Sequence, residues 1–473
     1  MLALTPMTTE TRKNSGLVRG LGVWAATAVV VGAMIGQSVF LMASDMSREV
    51  GSEAKVLAAW IVGGVVVLFG AFCYAELGAA MPEAGGEYVY LSRGLSPVWG
   101  YLFGWTSSWI LRPGSAATIA AGFMRFVGFL WPSVTAPIFT WHLWVPFQAQ
   151  PYSFTVTRAQ PLAAGAVVIV AGLNYFGIRA AGRFQVFLTA LKVATVAAII
   201  FLGFSAKGAS NSPFALTPTP AHGEVTAFLT ALVPVMAAYI GFSLLGNVGG
   251  EIVHPEKNIP RAALLGTSLV MVLYVSVNWV YFHVLSFSQV VRTQHVASDA
   301  VAQVVGQAGA KWFTVAMMVS AFGALHAGFL TGPRVPYAMA RDGVFFSFAK
   351  KVQPTFHTPS GAVVFQTCVA VLLVLSGSHQ DLYTYTAFAA WAFFALVAVA
   401  LMRLRSTSAG LTRPYRVWGY PWTPLIFGIT AISISANLWL LRPVRSSMGL
   451  CVILLGLPFF YYWRRQAATG GNA

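Results

Sequence analysis

The sequence predicts an all-α integral membrane protein with twelve transmembrane helices. Three observations carry that expectation. Of 473 residues, 57% are hydrophobic and only 9% charged. Soluble domains carry roughly 25% charge, so water cannot be the solvent for most of this surface. Apolar runs of about 20 residues recur along the whole chain, each able to cross a hydrocarbon core of roughly 30 Å as a helix. Finally, with the N-terminus placed in the cytoplasm, Lys and Arg favour the cytoplasmic loops by roughly two to one.

The first run, about 20–43, follows the basic residues Arg12, Lys13 and Arg19. It is too long for a signal-peptide core and no small-residue cleavage site interrupts it, so it reads as a retained span. The next runs fall near 54–80 and 96–130, the latter long enough to tilt or extend into the cytoplasm. Runs near 159–178, 184–205 and 224–250 complete the first half. The second half has 262–287, a long 311–339, the closely spaced pair 359–377 and 382–402, and finally 422–441 and 447–463. Loops are expected outside at 131–157 and 206–223, and inside at 81–95, 341–358 and 403–421. The chain divides into a cytoplasmic tail (1–19), a core of ten helices (20–402), helices eleven and twelve (403–463) and a polar, unstructured cytoplasmic tail (464–473).

Composition also excludes functions. The net charge of +16 follows from the loop bias that sets topology and needs no nucleic-acid partner. Cys73, Cys368 and Cys451 all fall inside apolar runs, so no outside loop offers a thiol for a disulfide, and their scatter offers no metal site. No catalytic set, cofactor motif or phosphate-binding Gly-Lys loop occurs; the chain is not expected to be an enzyme or an ATP-driven pump.

Two runs contain glycine-rich interruptions. The first holds Gly32, Gly36, Gln37 and Ser38; the sixth holds Tyr239, Ile240 and Gly241, with Gly246, Gly249 and Gly250 beyond. An offset of five spans is what a five-plus-five inverted repeat requires, and discontinuous helices at matching positions mark binding sites in such repeats. Close helix packing also recruits glycine. Where a helix unwinds in lipid, freed N–H and C=O groups need partners. A zwitterion supplies both, its carboxylate at the positive end of a half-helix and its ammonium at carbonyls. The candidate substrate residues are therefore Ile35, Gly36, Gln37, Ser38, Ala237, Ala238, Tyr239 and Gly241.

Lys192 lies nine residues beyond Arg183, about 13 Å along a helix and near the middle of the fifth run. A lysine there costs roughly 2.5–3.5 kcal/mol on insertion scales, so a partner is expected. It is read as a fixed cation that holds the unwound first segment by its carbonyls, where a sodium ion could otherwise sit. Proton coupling and snorkelling are the other readings. Arg112, beside Pro113, is expected in a structural pair or gate, as are Glu76 and Glu251 at cytoplasmic helix ends. His283 and His326 stand singly and read as interior residues.

Several stretches resemble the amino acid–polyamine–organocation transporters. Gly32 to Gly36 followed by Phe40 is similar to that family's first-helix signature. The segment from Cys73 to Leu91, with Pro82-Glu83-Ala84-Gly85-Gly86-Glu87, resembles its second helix and first cytoplasmic loop. Glu251 to Arg261, Ala340 to Gly343 and Arg413 to Arg416 are similar to later signatures. Trp109 to Gly114, Asn174 to Arg179 and Thr189 to Lys192 look most like the L-type branch. The resemblance implies a LeuT-type fold and a sodium-independent amino acid carrier, with Lys192 matching the lysine that takes the place of a sodium site. Members that pair with a glycoprotein use a cysteine in the loop after helix three; 131–157 has none, so a stand-alone bacterial inner-membrane carrier is implied, without a disulfide-linked heavy subunit.

There are two departures. Gln37 and Ser38 stand where the family pattern has Ser or Ala and then Gly, which should narrow the carboxylate cradle. Ala237 stands where an aromatic gate is usual, leaving Tyr239 to gate or a larger substrate to enter. The expectation is a carrier of neutral amino acids, by exchange or permeation. An amine or polyamine carrier is the alternative, although no acidic residue is expected near the midplane. A transporter-like sensor would need an added signalling domain, and a channel would need rings of like charge; neither is apparent.

Overall fold

A computed structural model describes residues 17–143, 152–206, 223–376 and 379–469. Arg12 and Lys13, most of the 206–223 loop, part of the 131–157 loop, and the tail end from 470 lie outside the described residues.

The architecture is helical. The first run is α1 (Val23–Met34) and α2 (Ser38–Val50), separated by three non-helical residues. Then come α3 (Glu53–Ala80) and a short α4 (Glu87–Gly94). The third run is α5 (Pro97–Thr106) and α6 (Arg112–Leu130), joined by a π-helical turn at Ser107–Leu111. This insertion, beside Pro113, is the local distortion expected there, in the wider-turn form that occurs at functional sites. Helices α7 (Ala159–Tyr175), α8 (Ile178–Ser205) and α9 (Glu224–Ala238) follow, and a 3-10 turn (Ile240–Ser243) leads to α10 (Leu244–Asn247). The second half has α11 (Pro255–Val284), α12 (Phe287–Arg292), α13 (Val296–Thr331) and α14 (Arg334–Arg341). It ends with α15 (Ser360–Ser376), α16 (His379–Thr407), α17 (Trp422–Leu441) and α18 (Pro443–Thr469).

Among the described residues, eight helical stretches are long and apolar enough to cross a membrane, or nine if the bent pair α9 and 240–247 counts as one span; α7 and α15 are shorter apolar helices. Large apolar side chains face outwards, among them Phe187, Phe201, Val272, Leu372 and Ile429. Without water to avoid, lipid-facing positions need no polarity, and this accounts for helices that are apolar on both their packed and their outer faces.

Four local expectations are corrected. The inside loop 81–95 is largely the buried helix α4, because Gly85 and Gly86, at φ +114° and +50°, turn the chain back into the bundle. Only glycine takes such angles without strain. The loop after α6, expected outside, contains an antiparallel hairpin, Pro137–Leu143 with Tyr152–Thr157. The tail after Trp463 is not unstructured at its start: α18 continues to Thr469. The first run also extends past 43 to Val50, where Gly51 at φ +64° terminates it.

Helix α1 packs between α8 and α11, with the 240–243 turn against it, and α3 lies along α11. The entry to α1 is fastened to the end of the sixth run. The amides of Gly20 and Leu21 donate to the Glu251 carbonyl at 2.9 and 3.0 Å, and Val253 N donates to Leu21 O at 2.9 Å. The two interrupted segments are thus held side by side in the middle of the bundle.

Candidate substrate site

Both interruptions occur where glycine and the absence of helix caps leave the ladder weak. At the first, Ile35 departs from helical geometry (ψ 83°) and Gly36 N turns back to Met34 O at 2.7 Å. At the second, Pro234 lies one turn before Tyr239 (φ −96°, ψ 2°), and the axis bends by 44°. The first interruption deflects the axis less, so that Val23–Val50 passes as one span. The breaks touch. A Cβ on Gly241 would sit 2.8 Å from both Met34 N and Val30 O, so only glycine lets the two backbones approach this closely.

The freed carbonyls of the first segment have specific donors. Lys192 Nζ donates to Gly32 O at 2.6 Å and to Ile35 O at 2.7 Å, and Ser320 Oγ adds a 3.2 Å bond to Ile35 O. Lys192 is 1% exposed. No carboxylate pairs with it among the described residues; these carbonyls are its counter-charge. One turn earlier, Thr189 and Gln185 reach Ala28 O at 2.9 and 3.4 Å, and His326 Nδ1 meets Gln185 Oε1 at 2.7 Å. One face of α8 therefore holds the end of α1 through a continuous polar strip.

Tyr274, on α11, was not singled out by sequence. Its hydroxyl donates to Met34 O at 2.5 Å and lies 3.5 Å from Ala238 O, so it spans both interruptions. A tyrosine in an apolar helix gives no periodic signal. Its role becomes visible only through the crossing of α11 with α1.

A cavity of about 140 Å³ opens between the breaks. Gly36, Gln37, Ser38, Ala237, Ala238 and Gly241 line it, with Arg112, Ser115 and Thr118 of α6, Glu87 of α4, Ala324 of α13 and the rings of Phe103 and Phe394. Ile35 and Tyr239 do not. Ile35 is fully buried and contributes its carbonyl to Lys192, while the Tyr239 ring packs edge-on against Trp60 and beside Tyr274. Among the described residues no backbone partner is found for the amides of Gln37, Ser38 and Val39 at the start of α2. These are the first N–H groups of a helix, where anions are favoured.

An acidic residue does reach the cavity wall, contrary to the expectation of none. Glu87, fully buried, lies 3.5 Å from Arg112 Nη2. Asn247, with its carboxamide oriented to suit both neighbours, donates to Glu87 Oε2 at 3.2 Å and accepts from Arg112 Nη2 at 3.3 Å. Arg112 is therefore paired, and the wall carries both signs of charge. Buried ions need such partners. Glu87 could have been suspected from its place after Gly85-Gly86, since that turn redirects the chain.

The remaining charged candidates lie elsewhere. Glu251 accepts two bonds from Arg334, at 2.7 and 3.1 Å, and both residues are essentially fully buried. Glu76 accepts from Arg405 Nε at 2.9 Å and Val417 N at 2.6 Å, is also bonded by Arg405 Nη2, and has Arg413 at 3.5 Å. It ties α3 to the connection between α16 and α17. Neither lines the cavity.

Residues 21–457 match the family described as amino acid permease. The chain is 28% identical over 461 residues to the serine/threonine exchanger SteT of Bacillus subtilis (strain 168), covering 97% of this chain and 99% of that protein. It is 29% identical over 416 residues to the b(0,+)-type amino acid transporter 1 of Oryctolagus cuniculus, covering 87% and 80%. It is 26% identical over 458 residues to the cystine/glutamate transporter of Homo sapiens, covering 96% and 85%.

Proposed function

The chain belongs to the amino acid permease family, and we propose that it is a sodium-independent secondary transporter that moves neutral amino acids by alternating access. It is a multi-pass membrane protein. Twelve spans result: the eight long stretches, the bent pair, α7 and α15, and the π-interrupted α5–α6. Both termini are assigned to the cytoplasm of a cell bounded by an inner membrane, from the Lys and Arg bias.

The observation that carries the reading is the Lys192 ammonium against Gly32 O and Ile35 O, at 2.6 and 2.7 Å. A fixed cation there does what a bound sodium ion would do, neutralising carbonyls released by the break. A second cation at the same carbonyls would meet it at repulsive range. The substrate carboxylate is assigned to the amides at the start of α2, and the ammonium to carbonyls of the Ala237–Gly241 turn. The side chain projects into the cavity towards Phe103, Ser115 and Phe394. An amine or polyamine is less well matched, because Glu87, the one carboxylate in the cavity wall among the described residues, is already paired with Arg112. The buried Glu251–Arg334 pair, joining the end of the sixth run to α14, is suited to an inner gate. No disulfide-linked subunit is proposed, as the segment 131–157 lacks cysteine.

Purified protein in liposomes should take up labelled serine, threonine, alanine or leucine, faster when unlabelled amino acid is loaded inside. Absence of uptake for every amino acid, with and without internal substrate, would refute the proposal.

A further inference from the structure

We propose that Gly122 and Gln37 form a size filter for the substrate, in which the missing side chain of Gly122 stores the Gln37 carboxamide in the wall of α6 and so keeps the cavity open. The inference rests on the reading of this cavity as the amino acid site.

Gln37 sits in the first interruption, where its side chain would be expected to reduce the space beside Gly36. It is 4% exposed, and its carboxamide is turned sideways into α6. Nε2 donates to the Thr118 carbonyl at 3.1 Å. One turn further along α6, the side chain meets Gly122. A Cβ built there would lie 1.1 Å from Gln37 Oε1, 2.0 Å from Cδ and 2.6 Å from Nε2. The whole carboxamide occupies the place of a side chain at position 122. These atoms are the far end of a flexible side chain, so the overlap is relieved by the carboxamide leaving the slot, at the loss of its bond to the Thr118 carbonyl.

The fit is steric and only half polar. Oε1 has no hydrogen-bond partner, although it is buried. An unsatisfied buried carbonyl costs free energy, so the slot holds the group by one hydrogen bond and by shape. Gln37 and Thr118 both border the cavity, whereas Gly122 does not. A carboxamide expelled from the slot therefore has the cavity as its nearest open space. In about 140 Å³, the added group competes directly with a substrate side chain. Glycine at 122 thus allows a long residue at 37 without loss of capacity, and the pair sets which side chains fit.

Four proteins test this: wild type, Gly122→Ala, Gln37→Ala and the double variant. Melting temperatures in detergent, without substrate, report the slot. Gly122→Ala should lower the melting temperature in the wild-type background and have little effect beside Gln37→Ala, because the clash is then gone. Uptake of glycine, alanine, serine, leucine and phenylalanine reports the filter. Gly122→Ala should depress leucine and phenylalanine uptake relative to glycine by roughly tenfold or more, the discrimination that a change of one methylene produces in a pocket. The double variant should recover them. Equal melting losses in both backgrounds, or a uniform fall across all five amino acids, would overturn the proposal. A wild-type protein that carries no amino acid would instead defeat the transport reading, and the filter with it.

Discussion

Replacing Lys192 by alanine removes two hydrogen bonds from a charged donor, at 2.6 and 2.7 Å, and leaves Gly32 O without this donor while Ile35 O keeps only Ser320. Each bond to a charged group contributes about 1.5–3 kcal/mol. Removing a buried ion recovers part of that, since the lysine itself carries a desolvation cost. A net loss of about 3 kcal/mol in the ordering of the break corresponds to roughly a hundredfold in any step that needs the ordered form. Liposome uptake of labelled amino acid by Lys192→Ala should therefore fall to around 1% of wild type or below. Lys192→Met, which keeps the bulk but not the charge, should behave alike. Both proteins should still insert and elute as monodisperse particles, because α8 remains long and apolar. Uptake by either variant at the wild-type rate would show that the ammonium is dispensable and that the contact is only a consequence of burial.

Tyr274→Phe deletes the hydroxyl shared by Met34 O and Ala238 O; a loss of about 1–3 kcal/mol should appear as a raised KM in uptake, with the folded yield unchanged. Gly241→Ala places a Cβ 2.8 Å from backbone atoms that cannot rotate away, and should cost about 1–3 kcal/mol and abolish uptake. Gly36→Ala meets nothing nearer than 3.4 Å and should leave the melting temperature close to wild type. Glu251→Gln strands the Arg334 guanidinium in a buried site; breaking such a pair costs about 3–5 kcal/mol, so the melting temperature should drop markedly.

Helix positions were legible because lipid imposes one length and one polarity on every span, and the glycines at 36 and 241 stood out against that uniform background. Lys192 was legible for the same reason: a buried charge in an apolar run demands a partner. Its partners could be anticipated as carbonyls because the break supplies them. What could not be read depended on side-chain direction. Gln37 looked like an obstruction in the cradle, and only the position of Gly122, some 80 residues later in sequence, shows where its carboxamide goes. Glu87 looked like a loop residue until the turn at Gly85 and Gly86 carried it inward. Tyr239 was expected at the substrate, yet its ring packs against Trp60 and Tyr274 and does not line the cavity. The hairpin after α6 was legible: Phe139 to Leu143 and Tyr152 to Thr157 alternate apolar with polar residues, the pattern of a strand, and the Trp and Pro content of that loop masked it.

A fixed ammonium, and not a bound sodium ion, is proposed to neutralise the broken first helix of this amino acid carrier. Uptake of a labelled neutral amino acid into liposomes, measured in parallel in sodium and in choline buffers of equal ionic strength, tests this directly. The initial rate and the KM should be the same in both. Uptake that requires sodium, or a KM that falls as sodium rises, would contradict the proposal.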